Sequence, residues 1–82
     1  MKEILLSQMK IGQMGRIRDV LGESPVSQRL LEMGVTSGSH VEMIRFAPLG
    51  DPLDIKIRGY HLTLRRKEAE MVRVFLLKKE EI

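Results

Sequence analysis

The stretch Ser24-Pro25-Val26-Ser27-Gln28-Arg29-Leu30-Leu31-Glu32-Met33-Gly34-Val35-Thr36-Ser37-Gly38-Ser39-His40-Val41-Glu42 holds a complete helix with a signal at each end, followed by the start of a strand. Ser24 is placed to cap the helix by accepting from first-turn N–H groups that have no partner within it. Pro25 suits the first helical position, where a missing N–H costs nothing. Gly34 ends the helix, because glycine reaches the left-handed conformation of a helix terminus without the steric cost of a Cβ. Thr36-Ser37-Gly38 then turns the chain into a strand beginning near Ser39.

So short a helix has negligible stability of its own, and packing must hold it. Val26, Leu30 and Met33 follow the i, i+4, i+7 spacing of one face, whereas Leu31 points well away from that line. Two arrangements satisfy this pattern. Either one apolar side covers the core and leaves the other free for a partner, or neighbouring loops bury both.

Working outward, Leu6 to Gly12 reads as a turn or short helical lead-in, and Gly15 to Val20 as a first strand with Ile17 inward and Arg16 and Arg18 outward. Gly22-Glu23 breaks that strand before the helix. The second strand, about Ser39 to Phe46, alternates imperfectly. Val41, Met43 and, on strict alternation, Arg45 share one face, against His40, Glu42, Ile44 and Phe46 on the other. Apolar residues on both faces predict a bulge or strong curvature, as small barrels require. Ala47-Pro48-Leu49-Gly50-Asp51-Pro52 is a loop, since two prolines around a glycine exclude regular structure.

Leu53 to Arg65 is the clearest hairpin: Leu53, Ile55 and Ile57 alternate outbound, and Tyr60 or His61 with Leu62 and Leu64 return. Gly59 at the reversal supplies the positive φ of a tight turn. Arg65 to Met71 allows about one helical turn, Val72 to Leu77 reads as the last strand, and residues 78–82 as a frayed polar tail. The expected fold is mostly β: a small, partly closed five-stranded barrel, with a helix between strands one and two and a helical turn before the last strand. Closure removes most sheet edges. The ordered core is expected over about residues 6–77 of a single domain.

The chain's 82 residues suffice for one modest core and not for a large catalytic cleft. Without cysteine, disulfides, thiolate metal sites and thiol catalysis are excluded. The formal charge of +3, from 14 basic and 11 acidic residues, is a mixed surface and only a weak pointer to nucleic acid. No apolar run nears the ~20 residues that span a bilayer, so direct membrane insertion is not expected and a cytoplasmic location is.

The ordered set Arg29-Leu30-Leu31-Glu32-Met33-Gly34, Gly38, Ala47-Pro48-Leu49-Gly50-Asp51-Pro52, and Gly59-Tyr60-His61-Leu62-Thr63-Leu64-Arg65 with Glu68-Ala69 resembles the FeoA family, a small cytoplasmic component of bacterial ferrous iron uptake. The resemblance runs from Leu6 to Val74. It implies a Src-homology-3-like (SH3-like) barrel and a partner role beside FeoB, a membrane GTPase that transports Fe(II). The location it implies is cytoplasmic, at most peripheral to the inner membrane through that partner. Ser37 stands where the family often has proline. A related module forms the carboxy-terminal part of metal-dependent DtxR-type repressors, so the alternatives are a regulator module or a nucleic-acid-binding barrel.

No nucleophile elbow, phosphate-cradling loop or metalloprotease pattern occurs, so no enzyme and no cofactor is expected. The weak metal candidates His40 with Glu42, and Asp51 with Asp54, lack the number and spacing of a closed site. Arg65-Arg66-Lys67 reads as a solvated turn balanced by Glu68 and Glu70. Nucleic-acid binding is disfavoured by the scarcity of aromatic platforms, for only Phe46, Tyr60 and Phe75 are available. Self-association is compatible with the sequence. A protein interface remains, with Val26, Arg29, Leu30, Leu31, Met33 and Leu49 as its candidates and Leu30 as the anchor.

Overall fold

Both end signals of the central helix are used. In the computed structural model, which describes residues 2–78, α1 runs Pro25–Glu32 with Ser24 as its cap. The Ser24 hydroxyl accepts from the Ser27 N–H at 3.2 Å, and the Ser27 hydroxyl oxygen accepts from the Ser24 N–H at 2.9 Å. Two orphan donors are thereby satisfied reciprocally. At the other end Gly34 has φ +97°, its N–H reaches the Leu31 carbonyl, and the Val35 N–H reaches that of Leu30, each at 3.0 Å. Leu30 and Val35 both lie in the core, which completes the apolar contact of this type of helix end.

Six strands make up most of the rest of the fold: β1 (Lys2–Leu5), β2 (Met14–Val20), β3 (His40–Phe46), β4 (Leu53–Ile57), β5 (Tyr60–Leu64) and β6 (Val72–Leu76). A 3-10 turn, Leu6–Gln8, follows β1, and a one-turn helix, α2 (Arg66–Ala69), precedes β6. All pair antiparallel in the order β1-β6-β2-β3-β4-β5. The expected five strands become six because Lys2–Leu5 pairs with β6, from Lys2 opposite Leu76 to Leu5 opposite Arg73. Order therefore begins before residue 6. Of the expected tail, residues 79–82 lie outside the described residues.

Two register shifts bend the sheet. Between Ile17 and Asp19 in β2, and between Met43 and Arg45 in β3, one residue is left over. The second shift resolves the mixed pattern of the β3 sequence. Val41 and Met43 point into the core; past the extra residue Ile44, Arg45 lies opposite Asp54 on the outside and Phe46 opposite Leu53 against the core. In the β4–β5 hairpin, Tyr60, Leu62 and Leu64 lie opposite Ile57, Ile55 and Leu53, which settles the return strand in favour of Tyr60 over His61. Both turn residues, Arg58 at φ +51° and Gly59 at +85°, take the positive φ of a two-residue hairpin loop. Curvature gathers Ile17, Leu30, Met43, Ile55, Leu64 and Val74, with their neighbours, into one core.

Candidate docking surface

The line of α1 that meets the core runs through Ser27 and Leu30, which are buried. At about 100° per residue, Val26, Arg29 and Met33 fall on one side of that line and Leu31 on the other. The helix thus has one broad apolar sector with two half-exposed shoulders, rather than a buried side and a free one. Gln28 and Glu32 face solvent. Leu30, at 0 % exposure, is sealed in the core, so its assignment as an interface anchor is corrected. Its neighbours Val26 and Leu31 keep 37 % and 42 % of their surface exposed, and Met33 packs at the core margin.

The first shoulder is fixed by long-range contacts. Arg29 forms an ion pair with Glu68 of α2, whose side chain is nearly buried; the second Glu68 carboxylate oxygen accepts from the Arg65 N–H at 2.8 Å. Glu68 therefore joins α1 to α2 while capping α2, and the reading of it as a solvated counterweight to the basic run is replaced. The Tyr60 hydroxyl donates to the Met33 carbonyl, pinning the helix end to the hairpin. Arg58 donates to the hydroxyls of Thr36 and Ser39, at 3.1 and 3.3 Å, clasping the turn that follows.

Beside this shoulder, Arg29, Thr63, Arg65, Glu68 and Pro52 line a shallow cavity. Pro52 closes the 47–52 loop, so Arg29 and the end of that loop border one cavity. Leu31 opens instead onto a separate groove shared with Gly22, Glu23, Ser24, Pro25 and Gln28. At the loop tip Leu49 is 97 % exposed. The basic run is divided in role: Arg66 donates from its backbone to the Asp51 carboxylate at 3.1 Å and from its guanidinium to the Gly50 carbonyl at 3.2 Å, and lies 5.8 Å from the Phe46 ring centroid.

The metal candidates are not gathered into one group: His40 and Glu42 border one shallow pocket, which Asp51 and Asp54 do not line. His40 and Glu42 lie on the outer face of β3, opposite Arg16 and Met14 of β2. Asp54 is occupied by Arg45 at 2.5 Å and Thr63 at 2.7 Å, and these hydrogen bonds, the Arg45 one foremost, hold its carboxyl below the usual range. Asp51 is turned to Arg66. Among the described residues no group of three or more His, Cys, Asp or Glu side chains gathers.

A small SH3-like antiparallel barrel with an inserted helix is the class these features define. The family model described as FeoA domain matches residues 4–75, and the chain belongs to that family, which is involved in Fe(II) transport. A curated relative, the Fe(2+) transport protein A/Fe(2+) transporter FeoB fusion protein of Porphyromonas gingivalis, is 35 % identical over 72 residues. That match takes in 88 % of this chain and only 8 % of the relative's length. The FeoA-like protein of Clostridium acetobutylicum superposes with a TM-score of 0.88 at 32 % identity, covering 96 % of this chain and 92 % of the other. The zinc complex of Stenotrophomonas maltophilia FeoA, described as an SH3 domain protein, gives 0.76 at 27 %, covering 87 % and 88 %. A manganese-dependent transcriptional repressor, at 15 % identity and a TM-score of 0.84 over 94 % of this chain and 38 % of its own, shares the fold alone.

Proposed function

We propose that this chain is a non-enzymatic accessory of bacterial ferrous iron uptake, acting on the cytoplasmic side by contact with a FeoB-type membrane GTPase. The observation that carries this reading is the relative in which a homologous segment is joined covalently to the transporter. A fused pair shares a high effective concentration, which strengthens a contact of modest affinity without any new interaction. The surface fits such a role: Val26 and Met33 on the first shoulder of α1 supply apolar area beside the fixed Arg29. No helix of the described residues is long and apolar enough to cross a membrane, so the membrane connection is assigned to the partner.

The test measures binding of the full chain to the detergent-solubilised transporter, and the GTP hydrolysis rate of the complex. Val26→Glu is expected to weaken binding by about tenfold or more with the fold intact, as for a truncated interface anchor, and Leu31→Glu, on the opposite shoulder, to leave it within about twofold. Absence of any wild-type binding or effect on hydrolysis would refute the reading. The repressor-module alternative gains no support, since that likeness is one of fold alone.

A further inference from the structure

We infer that the Ala47–Pro52 loop is a preorganised apolar finger, whose Leu49 enters an apolar pocket rimmed by carboxylates on the transporter. This deepens the partner reading above and rests on it. Single exposed leucines are ordinary. This one differs in what is built around it.

Six residues of loop are held by the Ala47 N–H to the Pro52 carbonyl at 2.9 Å, the Gly50 N–H to the Ala47 carbonyl at 2.7 Å, and the two Arg66 hydrogen bonds to Asp51 and Gly50. Arg66 also stacks over Phe46, which anchors the loop's first end to the core margin. Below the loop, Arg45 and Asp54 join β3 to β4. The side chain at the centre of this scaffold touches almost nothing. Leu49 gives nothing to folding at 97 % exposure, and turn chemistry would accept a polar residue there equally well. A side chain displayed on an already ordered loop binds without the usual ordering cost, which is the physical use of such a scaffold.

The chemistry of the pocket follows from the collar. Arg45 borders the loop beside Pro48, Arg65 and Arg29 beside Pro52, and Arg66 at Gly50, against the carboxylates of Asp51, Asp54 and Glu68, all three already engaged with donors of this chain. The net field at the tip is positive, so an acidic rim steers the approach and disfavours cationic surfaces. A second copy of this chain, carrying the same collar, is repelled at this point.

The experiment compares the full chain and its variants for binding to the detergent-solubilised transporter, by biolayer interferometry at two salt concentrations. Leu49→Asp is expected to lose at least about tenfold in affinity with an unchanged melting temperature, and Leu49→Met to stay within about threefold. Arg66→Ala, which keeps the leucine and the backbone bond to Asp51 but removes the guanidinium brace on Gly50 and Phe46, should also weaken binding, by about threefold or more. Raising the salt should weaken the wild-type complex. Normal binding by Leu49→Asp together with loss in Val26→Glu would overturn the finger and leave the partner reading standing. No binding by the wild type would overturn both, and a concentration-dependent dimer abolished by Leu49→Asp would assign the finger to self-association and overturn the pocket.

Discussion

Helix α1 and the 47–52 loop both show apolar surface to solvent, yet they are held by opposite means. The helix is fastened chiefly from within, by one leucine at 0 % exposure and by a terminus that places Val35 beside it in the core, with the Arg29–Glu68 and Tyr60–Met33 contacts added at its edge. The loop is fastened from outside by hydrogen bonds to Arg66 and to itself, while its own leucine stays in water. Burial fixes a segment through stability, whereas exposed polar contacts fix its shape at small net stability. Damage to the buried line of the helix should therefore destabilise the whole protein, and damage to the loop should spare the fold and alter its display.

The largest effect is expected at Leu30. Leu30→Ala removes a sealed side chain and should destabilise by about 2–5 kcal/mol in urea unfolding, against a total typical of a small domain of about 5–15 kcal/mol. The same substitution at Leu49 should move the midpoint by less than about 0.5 kcal/mol. Equal effects at the two sites would erase the distinction.

Next comes Gly34. A Cβ there would stand 2.5 Å from the Tyr60 hydroxyl oxygen and 3.1 Å from Cδ of Arg58, on a backbone at φ +97°. Gly34→Ala should cost about 1–2 kcal/mol for the conformation alone, plus whatever Tyr60 gives up in moving away from the Met33 carbonyl. Gly34→Ala combined with Tyr60→Phe should cost less than the sum of the two single changes, measured as a double-mutant cycle. Smaller again, Ser24→Ala removes the cap and should cost about 1 kcal/mol.

The sequence made the helix termini and the hairpin legible because their signals are local: a hydroxyl before a proline, a glycine after the last turn, alternating Leu53, Ile55 and Ile57 before Gly59. Even the β3 bulge was readable, since Val41, Met43, Ile44 and Phe46 cannot all face one core on a regular strand. What escaped reading was long-range. Lys2–Leu5 has no alternation and becomes a strand only by pairing with β6 across the length of the chain. Periodicity located the apolar residues of α1, but which of Val26, Leu30 and Leu31 is sealed depends on where β2 and α2 lie. Glu68 could not be separated from Glu70 by composition, because its distinction is the approach of Arg29 from another helix. The same holds for Arg66 within a run of three cations: its neighbours Arg65 and Lys67 are the same kind of residue, and only the folded loop makes it a brace.

The finest test of the contrast is acid, applied at the foot of the loop. Arg45 and Thr63 depress the Asp54 carboxyl, so its charged form is favoured in the folded state relative to the unfolded chain. A depressed carboxyl contributes stability that is complete above the unfolded value, near 3.9 for aspartate, and is lost as pH falls through the lower folded value. Within that window the unfolded chain binds more protons than the folded one. The pair is exposed, and its share of global stability is accordingly slight. Its share of the loop's order is larger, since Arg45 to Asp54 is the ion pair joining the strands that carry the loop. Amide exchange at Ala47 and Gly50 should quicken as pH is lowered below about 4, beyond the intrinsic pH dependence of exchange, while the Val35 amide, locked by the core, holds its protection. Asp54→Asn should remove that acid response at the loop. Uniform loss of protection at all three amides would mean that the loop and helix yield together, and that the two ways of fastening are one.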